Sequence, residues 1–134
     1  MANDARLIRS SKLFPGVPYA YAATAPADAR MVYIAGACPL NVDGSTAAVG
    51  DIRGQARKCL ENMHSALRAA GAEITDVVFT RVLVASTRQE DLGAVWDVVH
   101  SEFGEHDVPS TLFGVTVLGW DDQLVEIEAL AAVR

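Results

Sequence analysis

Two carboxylates near the C-terminal end carry the most chemistry in this chain. They lie in the run Leu124-Val125-Glu126-Ile127-Glu128-Ala129-Leu130, which reads as a strand. Side chains alternate faces along a strand, so Val125, Ile127, Ala129 and Ala131 share one face. Glu126 and Glu128 share the other with Leu124 and Leu130. A face that mixes carboxylates with leucines fits a cleft, partly walled and partly wet, where carboxylates often have perturbed proton affinity. The plainer alternative is an edge strand with two solvated glutamates, and the residues alone leave both open.

Other reactive side chains are few. Cys38 and Cys59 form no CxxC pattern and read as free thiols of a reducing compartment. No His or Lys lies close in sequence to Cys38 to lower its pKa, which argues against a nucleophile. Cys59 falls on an apolar helix face and reads as core. Lys12 and Lys58 are the only lysines, so candidates for a Schiff base are scarce. His100 and His106, even with Glu102 and Glu105, match no standard metal spacing, and His64 reads as a solvent or interface residue. The glycines are isolated and make no phosphate loop. Neither a metal nor a cofactor is expected. Trp96 sits at core spacing on a helix, whereas Trp120, in a turn, could wall a cleft.

The elements that position these residues belong to a single domain spanning 1–134. A chain of 134 residues can bury its own core, and 51% hydrophobic with 21% charged residues is a globular composition, not a disordered one. No apolar run reaches the roughly 20 residues of a membrane span, and the N-terminus shows no secretory pattern, which points to the cytoplasm and away from membranes. Net charge is -6 with scattered basic residues, a poor start for binding nucleic acid.

Strands are expected at 7–9, 19–23, 31–37, 77–84, 109–117 and 124–130, with a turn at Gly119-Trp120-Asp121-Asp122. The spacing of Ile52, Ala56, Cys59, Leu60, Met63, Leu67 and Ala70 predicts a helix, started by Asp51 and stopped by Gly71. A second helix carries Leu92, Val95, Trp96, Val99 and Phe103 and ends at Gly104; Thr87-Arg88-Gln89-Glu90 has the capping-box pattern in front of it. The order β, β, β, α, β, α, β, β describes an α+β fold with two helices on one face of a mixed sheet. Several strands are apolar on both faces, and two helices cover only one. The uncovered face predicts a homo-oligomer with sheets packed inward.

With that order in place, the chain resembles the Rid/YjgF family, the reactive intermediate deaminases, over nearly its whole length. The resemblance is carried by Gln55-Ala56-Arg57, Leu60-Glu61-Asn62, Ala69-Ala70-Gly71, Val82-Leu83-Val84, Asp91-Leu92 and Glu126-Ile127-Glu128-Ala129. Pro18-Tyr19 and Gly36 followed by Pro39 add to it. It implies a chorismate-mutase-like α+β fold, a homotrimer with clefts between subunits, and hydrolysis of enamines or imines to 2-keto acids and ammonia. It assigns Glu126 the water-positioning role and makes Tyr19, Tyr21, Gly36, Ala37 and Cys38 lining residues of a small-molecule cleft, with Trp120 as a further wall.

The departures from the family pattern carry equal weight. The spacing from Pro109 to Glu126 is gapless and puts Thr111 where the family has an arginine that clamps the substrate carboxylate. Ala37 and Tyr21 stand where glutamines are usual, and the turn 85–90 is longer than usual. The chain therefore resembles an arginine-lacking branch. Its expected substrate is an enamine, imine or related reactive metabolite without a free 2-carboxylate, or one held differently, with Arg81 or Arg88 as displaced anchors. The alternative is a trimer that binds a small metabolite, or acts as a chaperone-like scaffold, without turnover. An endoribonuclease reading is disfavoured by the acidity.

Overall fold

The architecture is organised by the last strand. In the computed structural model, which describes residues 5–134, β1 is Arg6–Ile8, β2 Ala22–Thr24, β3 Arg30–Tyr33, β4 Val77–Val84, β5 Ser110–Gly114 and β6 Val125–Val133. The helices are α1, Ile52–Ala69, and α2, Gln89–Phe103, and a 3-10 turn at Ile74–Asp76 leads into β4. β6 lies between β3 and β4, antiparallel to both, and β5 adds to β4 in parallel, giving the order β3-β6-β4-β5. A parallel neighbour cannot be reached by a tight turn; α2 is the crossover that makes it possible. Among the described residues β1 and β2 pair with each other as a separate two-stranded ladder. Pro15 and Pro18, in the loop between them, have no N–H to donate and keep that stretch out of any ladder.

The expected strand at 31–37 is shorter than its composition suggests. β3 ends at Tyr33, and Ala37 makes an isolated bridge to Ile127, its N–H donating to the Ile127 carbonyl at 2.7 Å. The Ile34 N–H still reaches the Ala129 carbonyl at 3.5 Å; the chain then leaves the ladder and rejoins it for one residue at Ala37.

Both helices start and stop for local reasons. The Asp51 side chain accepts from the Gly54 N–H at 2.9 Å, and Gly71, at φ +79°, supplies the left-handed residue that ends the turn after α1. The capping box expected at Thr87–Glu90 is not formed. Arg88 occupies the N-cap without a side-chain cap bond, and Glu90 pairs with Arg88 instead. Ser86 does the work one step earlier: its Oγ accepts from the Arg88 N–H at 3.0 Å and donates to Asp91 at 2.7 Å.

The two faces of the sheet differ as the alternation requires. Val82, Val84, Val125, Ile127, Ala129 and Ala131 point to the helices, where Cys59, Met63 and Leu67 of α1 and Val95 and Val99 of α2 meet them. The register puts Arg81, Leu83, Glu126, Glu128, Leu130, Thr111 and Phe113 on the opposite, helix-free face. In a single chain this face stays uncovered, with Met31 39% and Tyr33 75% exposed.

Candidate functional site

Glu126 is built into the helix-free face by three neighbours. Its Oε1 accepts from the Cys38 thiol at 3.3 Å and from Gln123 Nε2 at 3.1 Å. Gly36 provides the room: a Cβ at that position would overlap Oε2 and lie 2.7 Å from Cδ. The loop that carries Gly36 and Cys38 is tied to α1 by Asn62, whose Nδ2 donates to the carbonyls of Cys38 at 2.8 Å and Leu40 at 3.0 Å. Burial, with the Glu126 carboxylate beside it, pushes the Cys38 thiol up to about 11, while hydrogen bonds from Gln123 and Trp120 oppose the shift. Cys38 is therefore a protonated donor to Glu126 at neutral pH and not a thiolate nucleophile.

Tyr19 and Thr111 are brought together elsewhere, in a cavity of about 530 Å³ along the free edge of β5, with Pro18, Trp96, Ser110 and Leu112 as its other walls. Tyr19 meets Trp96 edge-on at 6.3 Å and Tyr21 at 6.0 Å, and Tyr21 Oη donates to the Phe14 carbonyl at 2.6 Å. None of the six lining residues carries a charge. Strand β4 separates Thr111 from Glu126: Thr111 is registered through Arg81 with Glu128, so Glu126 lies two strand spacings across and two residues along, with the backbones about 12 Å apart. Ala37 is packed into the core of its own chain, and Trp120 is 54% exposed beside the Gln123 turn.

The two arginines singled out as displaced anchors are both engaged. Arg81 Nη1 lies 3.0 Å from Glu128 Oε1, and Arg88 pairs with Glu90 at 2.8 Å on the turn 85–88, which flanks a second cavity of about 550 Å³ with Leu92 and Gly114–Thr116. The histidines separate: His64 pairs with Glu102 at 2.6 Å across the two helices, and His106 bonds the Val77 carbonyl at 2.7 Å. Among the described residues no three His, Cys, Asp or Glu side chains gather as a metal site, and no helix is long and apolar enough to cross a membrane.

Sequence reasoning passed over Gln123. It follows a polar turn and reads as solvated, yet it is 5% exposed and bridges the Val125 carbonyl to Glu126. Gln55 and Asn62 stood inside quoted motifs, but their partners were not legible. Gln55 is fully buried; its Nε2 donates to the Asp122 carbonyl at 2.9 Å and its Oε1 accepts from the Leu124 N–H at 2.7 Å.

A two-helix α+β layer with a carboxylate on its helix-free face and an uncharged cavity at a sheet edge describes the class. The family model described as endoribonuclease L-PSP matches residues 11–133, and the chain belongs to that family, also called Rid/YjgF. A RutC family protein of Pyrococcus horikoshii is 33% identical over 114 residues, covering 85% of this chain and 86% of that one. The human 2-iminobutanoate/2-iminopropanoate deaminase is 28% identical over 131 residues, 98% of this chain and 93% of its own. Among solved structures, a Rid family protein of unknown function, YyfB of Yersinia pestis, is 28% identical and superposes with a TM-score of 0.89, covering 97% of this chain and 99% of that one.

Proposed function

We propose that this chain hydrolyses an enamine, an imine or a related reactive small molecule, with Glu126 positioning the attacking water, in clefts formed between the subunits of a homotrimer. The observation that carries this reading is the seating of Glu126: an acceptor fixed by Cys38 and Gln123, with Gly36 cleared of a side chain in front of it. A carboxylate in that arrangement holds a water's proton while the oxygen adds to an electrophilic C=N carbon. The wide separation of Glu126 from the Tyr19–Thr111 cavity within one chain supports a site completed by a second copy. The uncovered apolar residues of the sheet face support the same arrangement.

Thr111 shapes the substrate. An uncharged hydroxyl cannot fork onto a carboxylate, so ordinary 2-imino acids are expected to be poor substrates. The test couples a serine or threonine dehydratase to the protein and follows 2-keto acid formation. Little acceleration is expected; a large one, lost in Glu126→Ala, would show that Thr111 does not limit the substrate. A panel of imines lacking a carboxylate, generated in place, is the second arm, and no Glu126-dependent turnover of any of them would sink the hydrolase reading.

The uncharged lining of the cavity favours one alternative, a trimer that holds a neutral metabolite without turnover. A thermal shift with such a ligand, unaccompanied by product and unchanged in Glu126→Gln, separates it from the hydrolase.

A further inference from the structure

The cavity beside Thr111 has two aromatic walls, Tyr19 and Trp96, and one carboxylate stands behind both. Asp107 lies in the short segment between α2 and β5, and its neighbours fix it there. The His106 ring bonds the Val77 carbonyl at 2.7 Å, and the Pro109 carbonyl accepts from the Thr80 N–H at 3.0 Å. From this post Asp107 makes two separate contacts to the segment that carries Tyr19. Its backbone carbonyl accepts from the Ala20 N–H at 2.8 Å. Its Oδ2 accepts from Arg9 Nη2 at 2.8 Å, while Arg9 Nη1 donates to the Val17 carbonyl at 3.0 Å. Residues 17 and 20 are thus both tied down, and only Pro18, with φ fixed by its ring, and Tyr19 stand between them. The other carboxylate oxygen, Oδ1, lies 3.6 Å from His100 Nε2, and the His100 ring stacks on Trp96 with centres 5.9 Å apart.

We propose that Asp107 is a positioning residue for this cavity: through Arg9 and Ala20 it holds Tyr19 edge-on against Trp96 and so sets the shape offered to a substrate. The inference rests on the reading of the cavity as part of the substrate cleft, but not on any role of Glu126. None of the lining residues carries a charge, so the cavity selects by shape and not by an ion pair. The placing of its aromatic walls then decides what fits. The contacts of Asp107 are made within one chain, so they hold the wall before a second copy completes the cleft. The Arg9–Asp107 pair is partly exposed, and such pairs add little to global stability. Its effect is local, because the β1–β2 ladder is separate from the four-stranded sheet and can open without it.

The experiment reads local opening by amide hydrogen exchange at Ala20 in the wild-type protein, Asp107→Ala, Arg9→Met and the double variant. Each variant keeps the carbonyl that the Ala20 N–H bonds. Exchange should rise about two- to fivefold in either single variant, the range an exposed ion pair supports, while the core amides of β4 and β6 and the unfolding midpoint stay as they are. The double variant should rise no further than the singles, because both remove the same contact. In a Trp120→Phe background Trp96 is the sole tryptophan, and its quenching by acrylamide should increase in the same variants as Tyr19 loosens from it. Unchanged exchange or unchanged quenching in both single variants overturns the proposal. So does a rise in Asp107→Ala that Arg9→Met does not share, or an additive double variant. A rise that the core amides share, with a lowered midpoint, gives Asp107 a merely structural role and overturns it as well. No turnover is read, so the two failures differ: a failed hydrolase reading shows as absent product with these rates standing, and a failed clasp as unchanged rates whatever the turnover.

Discussion

The Cys38 thiol donates to Oε1 of Glu126 across 3.3 Å, and this one contact makes Cys38 a reporter of the candidate site. Burial first, then the hydrogen bond and charge of Glu126, lift the thiol from its ordinary 9.0 to about 11. At pH 8 the thiolate population is then about a hundredfold smaller than that of an unperturbed cysteine, and alkylation by iodoacetamide should be slower in proportion. In Glu126→Gln the midpoint should move down but stay above 9.0, because burial remains. Mass-spectrometric labelling rates from pH 7 to 11 check this, and Cys59, fully buried with its thiol pushed higher still, should stay unlabelled. The folded state holds its proton where the unfolded chain has lost it, so this group's contribution to stability falls as pH rises from about 9 to about 11. An unchanged midpoint in Glu126→Gln would mean the contact is not made in solution.

Gly36→Ala tests the seat of Glu126 from the other side. The added methyl takes the space of the carboxylate, whose side chain must swing away and give up both of its donors. A loss of about 1–3 kcal/mol in urea unfolding is expected from two disrupted hydrogen bonds, together with a lower labelling midpoint for Cys38. Gly93→Ala is the control. Gly93 lies inside α2 with nothing within 4 Å of a new Cβ, so that substitution should stabilise by about 0.5–1 kcal/mol. Native stability and native labelling in Gly36→Ala would show that Glu126 has another place to sit.

These contacts mark how far the sequence could be read. The strict alternation in 125–131 announced which side of β6 meets the helices, and the 3.6-residue spacing announced both helix faces. Gly36 next to Cys38 was visible as a pair of suggestive residues. What no pattern could supply was the long-range pairing: Ala37 bridges Ile127, and that bridge is what carries Cys38 to Glu126, 88 positions away. The capping box failed for a related reason. Ser86 satisfies both Arg88 and Asp91, a competition between neighbouring hydroxyls that local sequence does not decide. The separation of Thr111 from Glu126 by β4 is likewise a matter of strand order, invisible in a gapless count of residues.

Gln55→Ala should be among the most destabilising single changes outside the apolar core. The side chain is fully buried and satisfies two backbone groups of the turn that launches β6, the Asp122 carbonyl and the Leu124 N–H. Truncation leaves both without their partner and opens a void, a combined cost of about 2–4 kcal/mol. Denaturant unfolding should show the midpoint fall at unchanged slope. Gln55→Leu, which fills the void but leaves the two groups unpaired, should recover only part of it. Full recovery in Gln55→Leu would assign the loss to volume and not to the hydrogen bonds.

Thr111→Arg asks whether position 111 still faces a carboxylate-binding space. An arginine there enters a cavity walled by Tyr19 and Trp96, on the strand next to Arg81. A new charge-assisted fork is worth roughly 1.5–3 kcal/mol, or about ten- to a hundredfold in affinity for pyruvate and 2-oxobutanoate. Two features pull the expectation to the lower end. Arg81 sits one strand spacing away and repels a second guanidinium, and Glu128, already bound to Arg81, is an acceptor the new arginine can share. About tenfold tighter binding is therefore expected in Thr111→Arg. Adding Glu128→Gln should increase it further, because the resident carboxylate is then gone from both guanidinium groups. Calorimetry on variants with the wild-type oligomeric state and unfolding midpoint decides it. If Thr111→Arg binds these acids no better than wild type, the cavity has been rebuilt beyond this one residue. The assignment of Glu126 to water positioning would then rest on its seating by Cys38, Gln123 and Gly36 alone, without the shared spacing of 109–126 that ties it to the arginine position.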